Sequence, residues 1–142
     1  MNNSYLIRFT KLSLKNQLLL IEASIYTIWA WFMIRIFSFK RYLNWLKNPP
    51  EQQTPNEKEV LSVYRTLRKI HKYAFWPTTC YTEAISARLI LKRKHIKSKI
   101  FLGMTKKDDG ELLAHAWTKV GDKIITGGGN LESYKVLYIF ED

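Results

Sequence analysis

The sequence predicts an α+β domain in which N-terminal helices precede a cysteine-bearing helix packed on an antiparallel β-meander. Three observations carry this reading. All six glycines lie after residue 102. Three of the four prolines fall within Asn48–Asn56. The apolar period changes from 3.6 to 2 after His95, which separates a helical front from a hairpin-rich back.

The elements follow in order. Asn16 to about Leu46 reads as one or two helices rich in Leu, Ile, Trp and Phe. "NPPEQQTPN" is a linker, because proline stops helix and sheet pairing alike. Glu57 to Ala74 is a helix, with Val60, Val63, Tyr64, Leu67, Ile70 and Ala74 on one face and Arg65, Arg68, Lys69 and Lys72 on the other. Pro77 turns Trp76 away from helical geometry. Thr78 or Thr79 then caps a helix from Cys80 to about Lys94, with Glu83 in its first turn. "KSKIFLGMT", "LLAHAWTKV", "KIIT" and "YKVLYIF" are strands. Asp109-Gly110 and Gly121-Asp122 are tight turns between them. The division is residues 1–56, a hydrophobic helical region with its proline-rich linker, and residues 57–142, the α+β domain.

Bulk properties bound the function. The chain of 142 residues is long enough for a real core. Its one cysteine forms no internal disulfide and fits a reducing, cytoplasmic setting. One Cys and three scattered His argue against structural zinc. Net charge is +11, with 12 Lys/Arg against 4 acids in residues 1–75 and 6 Lys/Arg with no acid in residues 88–99. Such a surface attracts nucleic acid, anionic lipid or an acidic peptide, or is simply solvated. No nucleic-acid motif accompanies it, and no nucleic-acid partner is expected. Leu18–Phe39 is strongly apolar, but its uncharged part, Ala23–Ile34, is shorter than the roughly 20 residues of a membrane span. It reads as a helix packed within the protein or on a partner. A peripheral membrane contact through residues 18–39 is the other reading, with Trp29, Trp31 and Trp45 beside Arg35, Lys40 and Arg41.

The chemistry centres on Cys80. A helix N-terminus offers unpaired N–H groups and partial positive charge, and both favour the thiolate. A free cysteine is also often a small buried hydrophobe. His115 lies between two alanines on a strand, either as a core histidine or as a base brought to Cys80 by the fold. Position alone leaves both pairs of readings open.

"WPTTCYTEAISARLILKRKHI" followed by "AHAW" resembles the transglutaminase-like cysteine protease of lasso-peptide biosynthesis, the B-type leader peptidase. The resemblance covers residues 57–142 and rests on a helix-opening Cys, on "LKRKHI" against the family's "LkRrgI", and on "AHAW". It implies a transglutaminase-like or papain-like core. It implies Cys80 as nucleophile and His115 as general base in removing a leader peptide through a thioester. It is to the split form, because residues before 57 read as helical rather than as a leader-recognition module. The implied partners are a precursor peptide, a separate leader-recognition protein and an ATP-using macrolactam synthetase. No cofactor is expected in this chain. ATP dependence is implied through the synthetase.

Trp76 and Trp117 are candidates for an oxyanion donor or a wall of the site, or for core. In the family a carboxylate about twelve residues after the His orients the imidazole, and here that position is Gly127. A two-residue turn at Gly121-Asp122 would place Asn130 diagonal to His115 on one face, which makes Asn130 the expected orienting residue, ahead of a main-chain carbonyl. Asp122 would lie roughly 20 Å away along the strand. The missing acid keeps a non-catalytic scaffold of the same fold as the alternative. An acyl transfer to an amine would use the same Cys-His chemistry.

Overall fold

The computed structural model describes residues 3–38, 41, 44–48, 51 and 53–141. Pro49, Pro50 and Gln52 of the expected linker, Phe39 of the apolar segment, and Lys40, Tyr42 and Leu43 of the expected helical region lie outside the described residues.

Among the described residues four α-helices precede four strands: α1 (Asn3–Thr10), α2 (Leu14–Ile36), α3 (Glu57–Tyr73) and α4 (Cys80–Arg93), then β1 (Lys99–Lys106), β2 (Leu112–Val120), β3 (Lys123–Thr126) and β4 (Lys135–Phe140). The α+β class is as the sequence predicts. The order of the sheet is β3-β2-β1-β4, all antiparallel. The first three strands form the expected meander. The fourth does not continue it: β4 crosses to the far side and pairs with β1, Ile100 opposite Phe140. β3 is only four residues long and offers little edge for a further strand.

Helix α4 is the centre of the molecule. It packs on α2 and α3 on one side and on β2, β3 and β1 on the other. Nine of its fourteen residues are buried, and Ala84, Ser86 and Ala87 let the neighbouring elements approach closely. A helix covered on nearly all sides needs no single apolar stripe. Ile90, Leu91 and Ile96 join Val60, Val63, Leu67 and Ile70 of α3 and Leu19 and Ala23 of α2 in one core cluster. Each such large side chain contributes about 1.5–3 kcal/mol on burial. Leu19 and Ala23 of α2 thus pack in one cluster with residues of α3 and α4.

Helix α4 stops at a Schellman motif. His95 adopts φ +56°, its N–H donates to the Lys92 carbonyl, and the Ile96 N–H donates to the Leu91 carbonyl. Buried Ile96 completes the motif, which explains "LKRKHI" physically. The basic cluster around it is largely engaged rather than freely solvated. Arg88 is fully buried and donates to the carbonyls of Leu46 (2.6 Å), Ser98 and Glu141 (2.7 Å). Arg93 pairs with Glu22, Lys94 with Glu59, and Lys97 and Lys99 with Glu141.

Helix α2 is continuous over 23 residues and is long and apolar enough to cross a membrane by length and composition. The sequence reading counted only the uncharged part, Ala23–Ile34, against a membrane span; Glu22, which bounds that part, is paired with Arg93. The inner face of α2 buries Leu19, Ala23, Thr27 and Ala30. Its outer face exposes Leu14, Leu18, Ile21, Ile25, Ile28, Phe32 and Ile36. Helix α1 is an addition to the expected elements, tied to α2 by the Gln17 amide on the carbonyls of Phe9 and Leu12.

Candidate active site

Cys80 is the first residue of α4. Pro77 ends the preceding extended segment, and Thr79 is the N-cap. The Thr79 hydroxyl accepts from the Thr82 N–H, and the Thr82 hydroxyl accepts from the Thr79 N–H at 2.8 Å. This reciprocal capping box fixes the first turn and aims its remaining N–H groups past the cysteine. Cys80 itself is part-buried and free.

His115 lies on β2, opposite Gly103 of β1. Strand alternation puts Ala116 and Thr118 toward α4, where the Thr118 hydroxyl donates to the Ala84 carbonyl at 3.2 Å. His115 and Trp117 share the other face, with ring centroids 5.9 Å apart. Tyr134 covers the imidazole at 5.1 Å, and Phe101 stacks on Trp117 at 5.5 Å. Gly103 leaves the space that the Trp117 indole fills, since a Cβ there would meet that ring at 3.0 Å.

β3 ends at Thr126 opposite Thr118, so the strand edge beside His115 has no strand neighbour on that side. The glycine loop after Thr126 takes that place. A cavity of about 610 Å³ opens there, and both Cys80 and His115 line it. Its floor is Ile124–Gly129, and its far wall is Tyr64, Arg68 and His71 of α3 with Glu83 of α4.

The imidazole is held by a main-chain carbonyl. Nε2 of His115 lies 2.8 Å from the Gly127 oxygen. A carbonyl only accepts, so Nε2 carries the proton and Nδ1 of the neutral ring is the acceptor. The turn at Gly121-Asp122 has two residues as expected, with Val120 opposite Lys123. The register nevertheless differs from the one that favoured Asn130. Ile125 is an extra residue in β3, a bulge that moves Thr126 opposite Thr118. Asn130 is exposed, precedes the short 3₁₀ turn Leu131–Ser133, and makes no capping bond with its side chain. Asp122 is exposed in the turn. Gly127 has φ +70°, and a Cβ there would lie 2.3 Å from the Ala116 oxygen. The position where the family carries an acid is one where this backbone admits only glycine.

The two tryptophans lie away from the cavity lining. The indole N–H of Trp76 donates to the buried Thr27 hydroxyl at 3.1 Å, which ties the segment before Pro77 to α2. Trp117 is 3% exposed and backs His115. The sequence reading missed the far wall. His71 Nδ1 and Glu83 Oε1 are 2.5 Å apart, with Glu83 only 8% exposed. The sequence places Tyr64 and Arg68 on opposite faces of α3, whereas both line this wall with His71, four and three residues apart in turn. Thr126 Oγ1, in the cavity floor, is buried with no partner among the described residues.

A family model described as "Transglutaminase-like superfamily" matches residues 25–139. The chain therefore belongs to the transglutaminase-like superfamily, which includes cysteine peptidases and transglutaminases. The match begins within α2, ahead of residue 57. No curated protein and no solved structure matches the chain.

Proposed function

We propose that this protein is a cysteine peptidase that removes the leader from a lasso-peptide precursor. The observation that carries the reading is a cysteine at a capped helix start sharing one cavity with a histidine whose tautomer is set by a carbonyl. The lasso-peptide substrate rests on the motif resemblance of "LKRKHI" and "AHAW".

In this reading Nδ1 of His115 takes the Cys80 proton, and the thiolate attacks the carbonyl of the last leader residue. First-turn N–H groups of α4 stabilise the oxyanion. The amide C–N bond breaks, His115 protonates the leaving amine, and the leader remains as a thioester on Cys80. Water then releases the leader as a carboxylic acid. The partners are the precursor, a separate leader-recognition protein and a macrolactam synthetase, in the cytoplasm. The exposed apolar face of α2, with Lys15 near one end and Arg35 near the other, is a peripheral contact with an anionic membrane.

The scaffold reading has one observation in its favour, the neutral carbonyl of Gly127 where a carboxylate would strengthen the base. Precursor cleavage by the purified chain with its recognition protein, followed by mass spectrometry, tests both. Arms with and without the synthetase and ATP resolve any dependence on either. Leader release that Cys80→Ala and His115→Ala both abolish is the expected result. Binding of the precursor without cleavage selects the scaffold.

A further inference from the structure

The geometry points to the His71–Glu83 pair as a second general base in the Cys80 cavity, one that activates the water that hydrolyses the acyl-enzyme. This rests on the cysteine-peptidase reading and gives a role to a residue pair to which the motif resemblance assigns none.

The cavity holds two histidines with different acceptors. His115 donates to a neutral carbonyl, Gly127, at 2.8 Å. His71 meets a carboxylate, Glu83, at 2.5 Å. A hydrogen bond to a carboxylate is charge-assisted and about twice as strong as one between neutral groups. It also stabilises the imidazolium formed when a histidine acts as a base. Glu83 is three residues beyond Cys80, so the two lie on adjacent parts of one helix face. Its side chain is 11% exposed, whereas that of His71 is 68% exposed. The carboxylate is thus buried in the wall, and the imidazole stands at the mouth, where water enters. With Nδ1 donating to Glu83, Nε2 is the free acceptor.

The step balances as follows. Nε2 of His71 removes a proton from water as its oxygen bonds to the thioester carbonyl carbon. The tetrahedral adduct collapses, the C–S bond breaks, and its electron pair returns to Cys80 Sγ. The proton on His71 passes to the thiolate or to solvent, and the acyl group leaves as a carboxylic acid. His115 serves acylation, and His71 serves deacylation.

A p-nitrophenyl ester separates the two halves, since acylation appears as a burst of nitrophenol and deacylation as the steady rate. The full chain is used, with circular dichroism melts of each variant. Wild type is expected to give a burst that iodoacetamide on Cys80 removes. His71→Gln should keep the burst, lose about 10²-fold in the steady rate, and accumulate acylated Cys80 by intact mass. His115→Ala should lose the burst. His71 is exposed, so its variant folds even where Glu83→Gln does not. A His71→Gln steady rate equal to wild type, or equal loss of both phases, overturns the inference and leaves the peptidase reading standing. No Cys80-dependent release of nitrophenol by wild type overturns the peptidase reading itself and this inference with it, whereas turnover in which His71→Gln accumulates no acylated Cys80 overturns the inference alone.

Discussion

Restoring the carboxylate by Gly127→Asp is the obvious way to strengthen His115, and the structure predicts that it fails. The residue has φ +70°, a region that costs an L-residue about 1–2 kcal/mol. A Cβ would stand 2.3 Å from the Ala116 oxygen, 2.8 Å from Trp117 Cβ and 2.9 Å from Trp117 Cα. Two of these three contacts are backbone atoms of β2, so no rotamer relieves them. Forcing such an overlap costs about 1–3 kcal/mol more. The sum is about 2–5 kcal/mol, equivalent to roughly 5–15 °C in Tm for a chain of this size. The Gly127 carbonyl would also move away from His115 Nε2. Gly128→Asp is the control, because a Cβ there meets nothing nearer than Ile124 Cγ2 at 4.0 Å. Thermal melts should show Gly127→Asp destabilised and Gly128→Asp near wild type, and leader cleavage by Gly127→Asp should be slower than by wild type. A Gly127→Asp variant with unchanged Tm and faster cleavage would refute the argument.

Four further outcomes follow from the packing and charges. His95 holds φ +56° at the end of α4, so His95→Gly should raise stability by about 1 kcal/mol, read as a Tm rise of a few degrees. Arg88→Met strands the Leu46 carbonyl and takes one of two donors from each of the Ser98 and Glu141 carbonyls, which keep Asn48, and should cost roughly 2–4 kcal/mol by urea unfolding. The Glu141 carboxyl is held below its ordinary 4.5, chiefly by its hydrogen bond from Lys99. Its stabilisation is therefore full above that value and is lost below it, as pH falls through the lowered folded-state value, and melts of wild type and Glu141→Gln should differ at pH 7 and converge in acid. Flotation with vesicles of phosphatidylglycerol should recover wild type but not Ile25→Glu/Ile28→Glu, and phosphatidylcholine alone should recover little of either. Sedimentation of wild type as a dimer with no flotation would give that face of α2 to a second copy instead.

What could be read from the sequence was set by local rules. Cys80 as the first residue of its helix follows from Pro77 and a threonine cap, and both act within a few residues. The tight turns at Asp109-Gly110 and Gly121-Asp122 are likewise local, and both are present. What could not be read was set by pairings across the fold. Glu83 looked like a residue complementing a helix dipole, because its partner His71 comes from another helix. Glu22 looked like the end of the uncharged stretch, because its partner Arg93 lies 71 residues away. β4 could not be assigned to β1 from alternation alone, since alternation fixes a face and not a neighbour.

The site turns on the same distinction. Two-residue turn chemistry placed Asn130 beside His115 by counting, and one bulged residue, Ile125, was enough to defeat the count. The same local irregularity delivers the Gly127 carbonyl to Nε2, so the departure from the family's acid and the departure from the expected register have one structural origin. A main chain carbonyl fixes the tautomer as well as a carboxylate does, but it supplies no charge. If the chain cleaves peptides, the charge must come from elsewhere in the cavity, and Glu83 is the buried carboxylate that lines it.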